Sequence, residues 1–193
     1  MASLGLYDCP DCGTDCGNTC VTFVTNDCPE VIELCLSEIC KWMYSCPDPD
    51  DPTQPLFAPT DWENEDDWIA AIGAGLVAVN VIGDIGEPTQ DIVQISKGRQ
   101  KFGTKTFTAN IDIDEWTIDN YEAMRQLSCG ATMFNWFQTR SGVIFGGPTG
   151  VRADVIKANS PLTRGDNQYK RILIGLEWEA KCDPPATDQV PAL

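Results

Sequence analysis

The 193-residue chain contains no histidine. That absence removes every Ser-His-Asp and Cys-His catalytic arrangement and every His-ligated metal site. Acid–base chemistry would have to run on carboxylates, Lys, Tyr or Cys, so the chain is expected not to be an enzyme. Positive charge is scarce as well, with 13 Lys and Arg against 29 Asp and Glu, a net of −16. A protein that grips nucleic acid through its phosphates needs the opposite sign, and anionic membrane surfaces repel such a chain for the same reason. No apolar run approaches the roughly 20 residues needed to span a bilayer. The first ten residues have neither the basic start nor the apolar middle of a secretory leader, so none is expected there. What the chain does have is a 42 % apolar composition, enough for one buried core with an appendage.

Charge and cysteine are unevenly spread. Residues 1–67 hold 15 acids and one base, Lys41, whereas residues 68–193 hold 14 acids and 12 bases. Eight of the ten cysteines fall between positions 9 and 46. The composition changes across Pro47, Pro49, Pro52 and Pro55, a spacing that forbids helix and favours an extended linker. The expected organisation is an acidic, Cys-rich arm with a proline linker over residues 1–55, a globular body over 56–182, and a polar, extended tail over 183–193.

Residues 29–43 read as a helix. Asp27 is placed to cap it, Pro29 lies in its first turn, and Ile32, Cys35, Leu36, Ile39 and Cys40 share one face. In the body, residues 61–73 read as a short helix stopped by Gly73, and residues 117–129 as a longer one stopped by Gly130. Strands are expected over 76–82, 91–95, 101–113, 131–138, 150–158 and 169–180. Phe107, Ala109, Ile111 and Ile113 fall on one face of the long strand, and Ile172, Ile174, Leu176 and Trp178 on one face of the last. The fold class is therefore mainly β (α+β), an antiparallel β-sandwich or barrel with one flanking helix.

The cysteines allow several chemistries. Cys9, Cys12, Cys16 and Cys20 place four thiols within twelve residues, as an all-Cys zinc site requires, although such sites usually hold two knuckles further apart. The eight thiols at Cys9, Cys12, Cys16, Cys20, Cys28, Cys35, Cys40 and Cys46 equally suit a set of disulfides, and free thiols are the third possibility. Cys35 and Cys40 also fit an apolar face with no chemistry at all. Acidic runs such as Asp112/Asp114/Glu115 and Glu63/Glu65/Asp66/Asp67 superficially suit calcium or a glycosidase pair. In so acidic a chain chance pairs are expected, and these read as solvated surface. The glycine-rich stretch 142–150 has no Gly-Lys-Ser/Thr and reads as a hairpin or wide turn. No cofactor is expected. Trp116, Trp136 and Trp178 read as core or interface residues.

Four stretches of the body carry a resemblance. Residues 98–113 (Gly-Arg-Gln-Lys-Phe-Gly-Thr-Lys-Thr-Phe-Thr-Ala-Asn-Ile-Asp-Ile) form a long strand. It is followed by a helix at 119–127 (Asp-Asn-Tyr-Glu-Ala-Met-Arg-Gln-Leu), a hairpin at 135–146, and a closing strand at 169–180 with Trp178 near its end. In this order they resemble the structural proteins of tailed-bacteriophage virions, most closely tail tube proteins. The resemblance covers about two thirds of the chain and leaves the Cys-rich arm outside it. It implies a β-sandwich flanked by a helix, hexameric rings that stack into a tube, and DNA passing through the lumen without specific binding. It also implies contacts with other virion proteins such as the tape measure, sheath or connector, assembly in the host cytoplasm, and residence in the virion tail. The inner wall is then expected from residues 101–113 and the hairpin 131–145, joined edge to edge between copies. Asn110, Asp112 and Gln138 are the expected lumen-facing side chains.

Rival readings differ in assembly form or chemistry. A head–tail connector or tail terminator stops at one ring, and a capsid decoration protein binds a lattice. A Cys-rich extracellular binding protein requires export and full oxidation. A carboxylate-based glycosidase requires a cleft with two carboxyl groups roughly 5–10 Å apart.

Overall fold

The computed structural model describes residues 38–96, 99–114, 116–161 and 170–187. In chain order the elements are β1 (Ile39–Ser45), α1 (Glu65–Ala74), β2 (Val77–Ile85), β3 (Thr89–Ser96), β4 (Arg99–Ile113), α2 (Ile118–Leu127), β5 (Thr132–Thr139), β6 (Ile144–Phe145), β7 (Val151–Asn159), β8 (Ile172–Ala180) and β9 (Ala186–Thr187). Every pairing is antiparallel. The order β1-β2-β4-β8-β7-β5 returns to β1, so six strands close a barrel. β3 forms a hairpin with β4 alone, and β6 and β9 extend the sheet outward from β5.

The barrel is mainly β, as its alternation predicts, and its interior is packed solid. Phe107, Ala109, Ile111 and Ile113 of β4 and Ile172, Ile174, Leu176 and Trp178 of β8 are all buried in it, with Trp42, Met133 and Phe137 opposite. The Phe107 and Trp178 rings stack at 5.3 Å, an arrangement that adds roughly 0.5–1.5 kcal/mol to their area burial. Asn135 is a polar residue buried beside Trp42. Its side-chain carbonyl accepts from Trp42 Nε1 at 2.9 Å, and its amide donates to the carbonyls of Met133 and Val151.

β5 is buried on both faces. Met133 and Phe137 enter the barrel, while Phe134 and Trp136 point outward into a second cluster with Met43, Trp68, Ala71, Leu76 and Ile144. This cluster seats α1 on the outside of the barrel. Asn64 caps α1 by accepting from the Asp66 amide, and Glu65, Asp66 and Asp67 sit at the positive end of its dipole. The helix runs through Gly73 and stops at Gly75, whose φ of +134° few other residues adopt. The Phe57 ring also lies 2.7 Å from where a Cβ on Gly75 would stand. α2, capped by Thr117, places Met124 in the main core, with Tyr121 and Leu127 packed against it, while Ile118 is exposed.

Two expectations about the arm are corrected. Residues 39–43, read as the end of a helix, are strand, and β1 is an integral stave of the barrel between β2 and β5. The misreading has a geometric cause. The register shifts between Ile39 and Lys41, so both Ile39 and Trp42 turn inward and the strand mimics the i, i+3 spacing of a helix. The sheet therefore starts well before residue 56. The remainder of the expected helix, residues 29–37, lies outside the described residues. The proline stretch is likewise not an extended linker. Pro47 bridges Pro55, the Asp48 amide donates to Gln54 O, and the Leu56 amide donates to Cys46 O. The result is a loop closed on itself, with the carboxylates of Asp48 and Asp51 accepting from backbone two residues on. The Thr53 hydroxyl and amide hold the Asp51 carboxyl below the usual carboxylate range.

Candidate functional site

α1 covers the outer side of β1 and β5, and Met124 of α2 packs into the barrel core. The outer face of β2, β4, β8 and β7 carries side chains that are exposed or half-buried. Strand register orders them into rows. Ile82, Asp112, Leu173 and Asn159 align across the four strands, followed by Asp84, Asn110, Gly175 and Lys157. Next come Thr108, Glu177 and Asp154, then Thr106 and Glu179. Five carboxylates (Asp84, Asp112, Asp154, Glu177, Glu179) share this face with three cations (Arg152, Lys157, Arg171), a surplus of two negative charges. Four of the acids, Asp84, Asp154, Glu177 and Glu179, are exposed along with Asn110. The in–out alternation of the four strands puts them there, because the interior takes every other residue.

The two halves of the face differ. At the Asp112 row, Arg171 Nη1 lies 2.7 Å from Asp112 Oδ2, while Asp112 Oδ1 is buried with no hydrogen-bond partner. A cavity of about 520 Å³ opens beside it, lined by Ile82, Asp84, Asn110 and Lys157 among others. At the Glu179 row a smaller cavity of about 280 Å³ lies between the proline loop and the barrel, with Thr53, Phe134, Arg152, Trp178 and Glu179 in its walls. Gly175 lies between the two halves, where the backbone is closely approached. A Cβ there would stand 3.1 Å from Lys157 Cβ and 3.4 Å from Ile156, whose side chain crosses the face and is 53 % exposed.

The three side chains expected to face a channel separate. Asn110 and Asp112 do lie on this open face, on alternate residues of β4. Gln138 does not, being 4 % exposed within β5. The hairpin 131–145 as a whole cannot present a wall to a channel, because β5 is covered by the core on one side and by α1 on the other. The expected edge-to-edge joining through β4 and β5 is also corrected, since in the barrel β4 pairs with β2 and β8, and β5 with β1 and β7. The free edges lie elsewhere. The outer edge of β3 has no neighbour among the described residues, and β4 pairs with β8 only from Lys105 onward.

Of the eight cysteines grouped as candidate disulfides, Cys40 and Cys46 lie among the described residues, where both are free thiols. Cys40 is held on β1, and Cys46 begins the closed proline loop with its side chain in solvent. Cys9, Cys12, Cys16, Cys20, Cys28 and Cys35, including the four weighed as zinc ligands, lie outside the described residues. Among the described residues no three His, Cys, Asp or Glu side chains converge on a metal position, and no helix is long and apolar enough to cross a membrane. Sequence reasoning missed the buried pair Trp42–Asn135 and the β3–β4 ribbon as a free edge. The run of Gln90, Ile92 and Gln94 on β3, exposed at alternate positions, was the available signal for the latter. No protein-family model, curated protein or solved structure matches the chain.

Proposed function

We propose that the chain is a structural subunit of a tailed-bacteriophage virion, a tail tube protein whose copies form stacked rings around a channel for DNA. The observation that carries this reading is the open four-strand face of β2, β4, β8 and β7, with its surplus of carboxylates on an otherwise covered barrel. The barrel of a single copy is filled by Trp42, Met133, Phe137 and Trp178, so any channel has to lie between copies. On this wall the exposed acids Asp84, Asp154, Glu177 and Glu179 outnumber the exposed cations Arg152 and Lys157, so it repels phosphate on balance and a polyanion slides past it instead of binding. The resemblance of residues 98–113, 119–127, 135–146 and 169–180 to tail tube proteins supports the same reading, as does the net charge of −16. The neighbours it implies are further copies, then tape measure, sheath or connector proteins, in the virion tail.

Negative-stain electron microscopy of the purified chain tests it. Open-ended tubes are expected. Single closed rings assign the chain to a connector or tail terminator instead, and monomers at every concentration overturn self-assembly altogether.

A further inference from the structure

The barrel has two ends, and the described residues close only one of them. Where β4 finishes at Ile113 and β8 begins at Ile172, α2 sits over the opening. Its Ala123, Met124 and Leu127 meet Tyr44, Val79 and Ile113 and leave a space of only about 50 Å³. At the opposite end β1 begins at Ile39, β2 finishes at Ile85 and β5 finishes at Thr139. There a cavity of about 460 Å³ opens among Ile39, Ile85, Phe107, Val143 and Phe145. Ile39 and Phe107 belong to the core, and Ile85, Val143 and Phe145 are half-buried. Its polar lining is exposed or already partnered. Asp84 and Ser141 are exposed, the Thr139 hydroxyl donates to the Val143 carbonyl, and Asp183 is held by Lys105 at 3.0 Å. No residue of either helix lines this mouth. Leaving so much apolar wall to water is unfavourable.

The chain enters the barrel at this mouth. Ile39 lines it, and Glu38 is pinned to its edge. The Glu38 carbonyl accepts from the Arg140 amide at 3.1 Å, and its carboxylate meets Arg140 Nε at 2.7 Å. Arg140 stands between Thr139 and Ser141, both in the wall. Residues upstream of Glu38 therefore start at the rim. At about 3.5 Å per residue, residues 31–36 all lie within about 25 Å of it. They are Val31, Ile32, Glu33, Leu34, Cys35 and Leu36, four of them aliphatic. Residues 188–193 start instead from Thr187, opposite Ile144 in the cluster outside the barrel, and begin with an acid.

We infer that residues 31–36 of the same chain fold back into this mouth and plug it, as α2 plugs the opposite one. The two surfaces match in kind, since four aliphatic side chains meet a wall of Ile, Val and Phe, and Glu33 is the one charge that must remain in water. Covalent attachment at the rim gives this segment an effective concentration far above that of a free ligand. The plug tethers the cysteine-rich stretch 9–28 to this end of the barrel, because only Pro29 and Glu30 separate Cys28 from it. It acts within one copy and is independent of the self-assembly reading.

Timed thiol alkylation of the full chain, kept reduced by a non-thiol reductant and read by peptide mass mapping, tests it. Each thiol's rate is taken relative to its own rate in denaturing urea. Cys35, inside the plug, is expected to react about tenfold or more slowly than Cys46, which is exposed. The wall variant Ile85→Asp and the plug variant Ile32→Asp/Leu36→Asp each place charge in the contact, and each is expected to bring Cys35 to within about threefold of Cys46. If Ile85→Asp alters the circular dichroism, Val143→Asp replaces it, with a gain in Cys35 reactivity expected in the same direction. Wild-type Cys35 reacting as fast as Cys46, or protection that neither wall nor plug variant relieves, overturns the plug and leaves the mouth to residues 188–193 or to a separate ligand. Protection that disappears on dilution by about a hundredfold assigns the segment to a second copy and overturns the same-chain plug.

Discussion

Replacing Asn135 by Leu probes the closure of the barrel at its least obvious seam, where β1 meets β5. The substitution keeps a side chain of similar size but withdraws the acceptor of Trp42 Nε1 and the donors to Met133 O and Val151 O. Asn135 is fully buried and Trp42 is 1 % exposed, so water cannot replace the lost partner. An orphaned buried donor costs about 1–3 kcal/mol, and each further hydrogen bond about 1 kcal/mol net. Added apolar burial offsets part of this, leaving an expected loss of about 2–4 kcal/mol. For a domain of this size that lowers the melting temperature by on the order of 10 °C. Urea denaturation followed by tryptophan fluorescence and far-UV circular dichroism reads the loss. Trp42→Phe removes the indole N–H, so in the double variant the Asn135 substitution is milder, with a coupling of about 1–2 kcal/mol. A single variant within 0.5 kcal/mol of wild type, or strictly additive effects, would show that the two residues do not meet and that β1 does not close the barrel.

Gly150 has φ +76° and a Cβ position 2.8 Å from Trp136 Cε2 and Cζ2, so Gly150→Ala is expected to cost about 2–4 kcal/mol in strain and overpacking. A thermal melt checks this, and an unchanged midpoint contradicts the packing of Trp136 beneath that turn. Burial, then the neighbouring Cys46, raises the Tyr44 phenol above its ordinary value of about 10. The folded state therefore binds this proton more tightly than the unfolded one. Its contribution is complete below pH 10 and is lost as pH rises through the raised folded value. Denaturation of Tyr44→Phe between pH 8 and 11.5 should show a shallower alkaline loss than wild type. Native-state alkylation with peptide mass mapping should modify Cys46 and Cys129, both exposed free thiols, without reductant. Either one recovered in a disulfide would contradict the structure there.

Much of the barrel is legible from alternation. β4 and β8 announce their inward faces at every second residue, and Phe107 through Ile113 and Ile172 through Trp178 are buried as that pattern requires. α1 and α2 are legible from their glycine stops and, for α2, its apolar spacing, to within a few residues at each end. β1 was illegible because its bulge reproduces a helical spacing, and β6 and β9 because two residues carry no period. Gln138 looked like a polar outward position. It is buried where β5 lies between Lys41 of β1 and Ile144 of β6, on a face that alternation alone assigns to solvent.

Sequence by itself determined the class of the fold, the faces of its long strands and the sign of its charge, since these depend on local periodicity and on counting. Only the tertiary structure decided that the barrel seals its own edges, that the proline stretch closes into a loop, and that the open face is the one formed by β2, β4, β8 and β7. Those outcomes depend on which strands meet across long separations, as Ile39 meets both Gly83 and Thr139. No local pattern encodes such pairings, because the partner that satisfies a strand edge is chosen by the closure of the whole sheet.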